Sequence, residues 1–208
     1  MRLFTALELN SKVVTNLTEL VRRMGPVAPI RWVNPQNMNV TLKYIGEWPA
    51  GRLETLVRAL NQVRMNQPVA VNLAGLGFHP NPLRPRVFWI GAENTPPLRQ
   101  LTSLIDAQLQ PLGIAPEVRP YQPRITLGSL DEWNNIGELH EVVDDLPSRE
   151  FGVLNPDRFV LYENTLTDSG SIYRKVADFP FISAAPETAM AASAARAGGS
   201  LVGASAAR

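Results

Sequence analysis

Residues 38–46 read Met-Asn-Val-Thr-Leu-Lys-Tyr-Ile-Gly, and residues 123–130 read Pro-Arg-Ile-Thr-Leu-Gly-Ser-Leu. Each stretch carries a polar residue, an aliphatic, a threonine and a leucine: Asn39-Val40-Thr41-Leu42 and Arg124-Ile125-Thr126-Leu127. Side chains of a strand alternate between its faces. That alternation predicts Val40, Leu42 and Tyr44 on one face of the first strand and Asn39, Thr41 and Lys43 on the other. In the second strand, Ile125 and Leu127 oppose Arg124 and Thr126. Two strands that each bury an aliphatic face and present a polar pair can line one cleft. A single such match reads better as a half-buried strand with a solvated outer face; the repetition singles these two out.

The segments around them alternate between strand and helix patterns. Residues 2–9 read as a strand, and Asn10 or Ser11 can cap the helix that follows. Val13, Val14, Leu17, Leu20, Val21 and Met24 recur at helical spacing, and Gly25-Pro26 ends the run. Leu53, Leu56, Val57, Leu60 and Val63 mark a second helix. Thr95-Pro96 opens a third, a capping hydroxyl before a first-turn proline. Ile136, Leu139, Val142, Val143 and Leu146 suggest a fourth. Strands are expected over 31–33, 68–76, 86–91, 151–154, 158–162 and 171–179. The predicted class is α+β: two pseudo-symmetric lobes, each a small, mostly antiparallel sheet backed by helices, around a central cleft.

Composition narrows the chemistry. The chain has 208 residues, no cysteine, and a net charge of +1 from 20 basic and 19 acidic residues. Disulfides, thiol nucleophiles and thiolate-bound metals are excluded. No global basic field draws in duplex nucleic acid, although a small phosphate pocket remains compatible. No apolar run suits a bilayer span and no signal peptide is read, so a cytoplasmic location is expected; a monomer is the expected state. Residues 1–182 read as one bilobal domain. Residues 183–208, rich in Ala, Ser and Gly, have little to bury and are expected to form a disordered tail.

Taken together, the motifs resemble the two-histidine (2H) phosphoesterases, in particular the bacterial RNA 2′,3′-cyclic phosphodiesterases, also called 2′-5′ RNA ligases. The resemblance rests on Arg2-Leu3-Phe4-Thr5-Ala6-Leu7, Arg31-Trp32-Val33, the strand from Asn39 to Gly46, and Gly75-Leu76-Gly77. It continues through Arg84-Pro85-Arg86-Val87-Phe88-Trp89, Arg124 to Leu127, Leu161-Tyr162-Glu163, Gly170, Tyr173 and Phe179-Pro180. It implies the bilobal fold, a metal-free and cofactor-free opening of 2′,3′-cyclic phosphates, and threonines that hold phosphate oxygens. It also implies a histidine at the head of each motif. Here those two positions hold Asn39 and Arg124.

The exchange has a direct chemical consequence. Histidine suits both proton removal and proton delivery because it titrates near neutrality. An asparagine does neither, and an arginine is effectively always charged. Losing one positioned acid or base typically costs ~10²–10⁴ in rate. A guanidinium nonetheless matches two phosphate oxygens with its planar fork. The first reading is therefore a cleft that binds a nucleotide or RNA terminal phosphate through Asn39, Thr41, Arg124, Thr126 and Lys43, with catalysis impaired. Lys43 reads equally as a solvated strand residue. Two other readings stay open: an active phosphodiesterase with a rearranged proton path, and a protein-interaction module on a retained scaffold. The two histidines present are His79, in a loop able to reach a cleft, and His140, in the fourth helix. Ser129 and Gln122 stand where the resemblance implies basic side chains.

Overall fold

A computed structural model describes residues 1–27, 30–130, 136–167 and 170–181. The expected tail lies outside the described residues. Among the described residues, nine strands and four α-helices succeed one another in the order β1 (Arg2–Glu8), α1 (Ser11–Met24), β2 (Ile30–Trp32), β3 (Asn39–Glu47), α2 (Leu53–Leu60), β4 (Val71–His79), β5 (Val87–Ala92), α3 (Pro96–Leu109), β6 (Arg124–Leu130), α4 (Ile136–Asp144), β7 (Glu150–Leu154), β8 (Arg158–Thr167) and β9 (Gly170–Pro180). They build two antiparallel sheets. The four-stranded sheet has the order β3-β1-β8-β9, and the five-stranded sheet the order β2-β6-β5-β4-β7. The α+β class with two helix-backed sheets is thus present.

Chain order alone does not assign strands to sheets. The four-stranded sheet draws β1 and β3 from one end of the chain and β8 and β9 from the other. The helices cross over as well. α1 comes after a strand of the four-stranded sheet, yet packs on β7 of the other. Asn16 donates to the Phe151 carbonyl there, and Val13 lies against Gly152. α3 links two strands of the five-stranded sheet, yet contacts β3. Both helices thus touch a sheet other than the one whose strand precedes them.

Local signals account for the helix ends. The Asn10 side chain accepts from the Val13 N–H and caps α1. Thr95 caps α3 through the Leu98 N–H, with proline in the first turn. Gly113 adopts a left-handed conformation, φ 88°, and closes the turn after α3. The buried faces carry the expected stripes, among them Val13, Leu17, Leu20 and Met24 of α1 and Leu98, Leu101, Ile105 and Leu109 of α3. No helix among the described residues is long and apolar enough to cross a membrane.

Candidate functional site

β6 carries its motif as the alternation predicts. Ile125 and Leu127 are fully buried, while Arg124 and Thr126 are exposed. The strand pairs with β5, placing Arg124 opposite Gly91 and Thr126 opposite Trp89. Gly91 offers no side chain to cover or pair the guanidinium. Among the described residues, Arg124 has no hydrogen bond and no ion pair. The indole of Trp89 lies over Gly77 of β4, where a Cβ would fall 2.1 Å from the ring. Glycine at 77 thus lets the aromatic lie flat beside Thr126.

β3 keeps the alternation only as far as Leu42. Val40 and Leu42 are buried and Thr41 is exposed. Pairing with β1 then slips: Ala6 faces Thr41, but Thr5 faces Lys43, so Leu42 is an extra residue. A bulge of this kind reverses the faces of the residues beyond it. Lys43 turns inward and is 7% exposed, while Tyr44 turns outward and is 51% exposed. This corrects the grouping of Lys43 with Asn39 and Thr41, and of Tyr44 with Val40 and Leu42. The Lys43 ammonium donates to the Ala115 carbonyl at 2.8 Å and sits 2.7 Å from the Asp106 carboxylate of α3. It is a buried tie between sheet and helix.

Asn39 and Thr41 are hydrogen-bonded to each other. The Thr41 hydroxyl donates to Asn39 Oδ1 at 3.0 Å, and Asn39 Nδ2 donates to the Asn37 carbonyl at 3.2 Å. The two motif strands, although in different sheets, approach with Cα atoms within 8 Å. A hydrogen bond from the segment leading into β6 reaches β3. Tyr121, three residues before Arg124, donates its hydroxyl to the Thr41 carbonyl at 2.8 Å. Burial raises the Tyr121 pKa above the ordinary tyrosine value, so the hydroxyl remains a donor. The Tyr121 carbonyl in turn accepts from Asn94 at 2.7 Å.

Glu8, near this junction, gave no sequence signal. Glu8 ends β1 as the register partner of Asn39. Its Oε1 accepts from the Tyr162 hydroxyl at 3.0 Å and lies 2.9 Å from the Lys175 ammonium. Burial, followed by the Glu8 charge, pushes the Tyr162 hydroxyl pKa upward, so the proton stays on the tyrosine. A hollow of about 300 Å³, lined by residues 8–10 and 154–158, opens beside Glu8. Ser129 pairs with Arg31 of β2, so a basic side chain stands across the strand from it on the same face.

The two histidines occupy different places. His79 ends β4, exposed, on the face shared by Gly77, Trp89 and Thr126. It lies two strands from β6 and opposite Val87, a register position that pairs onward with Ser129 rather than Thr126. His140 of α4 packs its ring against Phe78 at 4.7 Å, and its Nε2 meets the Pro82 carbonyl at 3.1 Å. Its role is to hold α4 to the β4–β5 connection. Trp32 packs edge-on to Phe88 at 6.1 Å and is half-buried. No group of three metal-ligating side chains occurs among the described residues.

Comparison with known proteins matches this architecture twice over. The family model described as LigT like Phosphoesterase matches residues 7–89 and again residues 90–173. One motif strand falls in each match. An RNA 2′,3′-cyclic phosphodiesterase of Methanothermobacter thermautotrophicus is 30% identical over 176 residues, covering 83% of this chain and 94% of that protein. The Archaeoglobus fulgidus protein of the same description is 28% identical over 179 residues, covering 86% and 99%. Among solved structures, TT0787 of Thermus thermophilus superposes with a TM-score of 0.73 at 24% identity, covering 89% of this chain and 100% of that one. E. coli LigT complexed with 3′-AMP superposes with a TM-score of 0.68 at 22% identity, covering 87% and 98%.

Proposed function

The chain belongs to the LigT-like 2H phosphoesterases, in the RNA 2′,3′-cyclic phosphodiesterase family, and from that premise we propose that its cleft grips a terminal phosphate of a nucleotide or RNA but has lost the family's proton-transfer chemistry. The observation that carries this reading is the state of Arg124. Its guanidinium is exposed, faces a glycine, and lacks a partner among the described residues. An unpaired guanidinium beside a threonine hydroxyl suits a phosphate, which takes two of its N–H groups at once. Thr126 lies on the same face, and the Asn39–Thr41 pair supplies further polar groups from β3. The ligand class is a nucleoside monophosphate of the kind named with E. coli LigT, or an RNA end of equivalent chemistry.

Impairment follows from residue chemistry. With the family's histidine positions at 39 and 124, no side chain there exchanges a proton at neutral pH. Asn39 is further engaged by Thr41 and by the Asn37 carbonyl. Lys43 takes no part, since its charge is neutralised inside the fold. The unit responsible is the bilobal domain of residues 1–182.

The test pairs binding with turnover. Isothermal titration with 3′-AMP should show binding that Arg124→Ala weakens by about tenfold or more, the loss expected for a charge-assisted hydrogen bond. A 2′,3′-cyclic-phosphate-ended oligonucleotide should remain unopened under conditions where an active family member completes the reaction. Hydrolysis at a family-like rate, abolished by Thr41→Val and Thr126→Val, would overturn the impairment. Absence of any binding would overturn the phosphate cleft.

A further inference from the structure

Glu8 is the group on this face that the phosphate-binding reading leaves unused. It pairs with Asn39 across the β1–β3 ladder, and Ala6 pairs with Thr41 one step along the same face. Residues paired across a ladder have side chains about 4.5–5.5 Å apart at Cβ. A carboxylate therefore stands one side chain away from the proposed phosphate contact on β3. Left alone, its charge would oppose an anion. The Lys175 ammonium, 2.9 Å away, offsets that charge, and Tyr162 donates to the same oxygen. Both contacts fall on Oε1, so Oε2 has no partner among the described residues. The side chain is 41% exposed, and the hollow of about 300 Å³ begins at it.

A fixed carboxylate oxygen with open lone pairs asks for a donor. Beside a phosphate on a ribose, the available donor is the vicinal hydroxyl. A 3′-phosphate leaves the 2′-hydroxyl free to donate. A 2′,3′-cyclic phosphate esterifies both oxygens and offers only acceptors, which a carboxylate repels. A site placed to hydrogen-bond a ligand hydroxyl discriminates against the analogue without it, because its own polar group is then left unpaired.

We propose that Glu8, held by Lys175 and Tyr162, is a specificity-determining residue that accepts the free ribose hydroxyl next to the bound phosphate, so that this cleft selects ring-opened ribonucleotide ends over cyclic ones. This rests on the phosphate-binding reading of the same cleft. It makes the protein a reader of opened RNA ends, and no bond is formed or broken in that role.

Titration of the full chain with 3′-AMP, 2′-deoxy-3′-AMP and 2′,3′-cyclic AMP tests it. The unaltered protein should bind 3′-AMP about tenfold more tightly than either other ligand, the loss expected when a charged acceptor is left without its donor. Glu8→Ala should bring the affinities for 3′-AMP and 2′-deoxy-3′-AMP, which carry the same phosphate charge, together. Lys175→Met, which breaks the ion pair but keeps the carboxylate, should weaken all three while preserving the preference. Circular dichroism confirms that each variant is folded, and Glu8→Gln serves if Glu8→Ala is not, with a reduced preference expected. Equal affinity for 3′-AMP and 2′-deoxy-3′-AMP in the unaltered protein overturns the proposal, as does a preference between these two that survives Glu8→Ala. In both cases binding that still depends on Arg124 leaves the phosphate cleft standing. Failure of all three ligands to bind overturns both.

Discussion

The hydroxyl of Tyr121 donates to the main-chain carbonyl of Thr41 across 2.8 Å, joining residues 80 positions apart that lead into or lie on the two motif strands. β3 and β6 belong to different sheets, so no ladder fixes their separation. This bond ties the segment leading into β6 to β3 at Thr41. Tyr121→Phe keeps the ring packing and leaves the Thr41 carbonyl without its donor, at a cost of about 1 kcal/mol. The expected fall in melting temperature is about 2–4 °C for a chain of this size. Affinity for 3′-AMP should fall as well, because the two halves of the cleft are no longer held in register. An unchanged affinity in a measurably destabilised variant would confine Tyr121 to a packing role.

The same tyrosine predicts a stability loss in alkali. Burial raises its folded-state pKa above the ordinary value of 10.0, and Tyr162 and Tyr173 shift the same way, chiefly by burial. Below the unfolded pKa these groups are protonated in both states, and their contribution is fully present. As pH rises past about 10, the unfolded chain releases protons that the folded chain retains, so stability falls. Melting temperature followed from pH 8 to pH 11 should decline over the upper part of that range, and Tyr121→Phe should decline less.

The Lys43–Asp106 pair should matter for stability and not for ligand. Lys43→Met removes one partner and leaves the Asp106 carboxylate behind, half-shielded at 22% side-chain exposure. Removing one member of a buried pair costs about 3–5 kcal/mol. The lower end of that range is expected here because Asp106 keeps some solvent. The double change Lys43→Met with Asp106→Leu should recover much of the loss. Denaturant titration checks both, and titration with 3′-AMP should show unchanged affinity in whichever variants fold.

Placing histidine at both motif heads tests whether the scaffold supports the family reaction. Asn39→His with Arg124→His puts a titratable ring at the head of each motif, beside Thr41 and Thr126. Opening of a 2′,3′-cyclic-phosphate-ended oligonucleotide should then become measurable, and each single change should give far less. A folded double variant that stays silent would show that contacts beyond these two positions have also diverged.

How far these residues could be read in advance depended on the range of the interaction involved. The helices were legible, down to the Asn10 and Thr95 caps, because periodicity and capping act within one turn. The β6 motif was legible for the same reason: nothing interrupts its alternation between Arg124 and Leu127. Lys43 was not. Its direction depends on a bulge at Leu42, and the bulge exists only in the pairing of β3 with β1. Glu8 gave no signal, since a glutamate ending a strand is unremarked until the register sets it beside Asn39.

From sequence alone came the class of fold, the two motif strands, and the chemical fact that positions 39 and 124 hold side chains unable to exchange a proton. Those are properties of residue type and short-range spacing, and any folded arrangement would keep them. The tertiary structure decided which side chains share a surface. It sent Lys43 inward to Asp106, set Tyr121 against Thr41, placed Glu8 beside Asn39, and exchanged α1 and α3 between the sheets. Each of these outcomes joins segments distant in the chain, and their relative positions follow from strand register and helix packing, which no local pattern encodes.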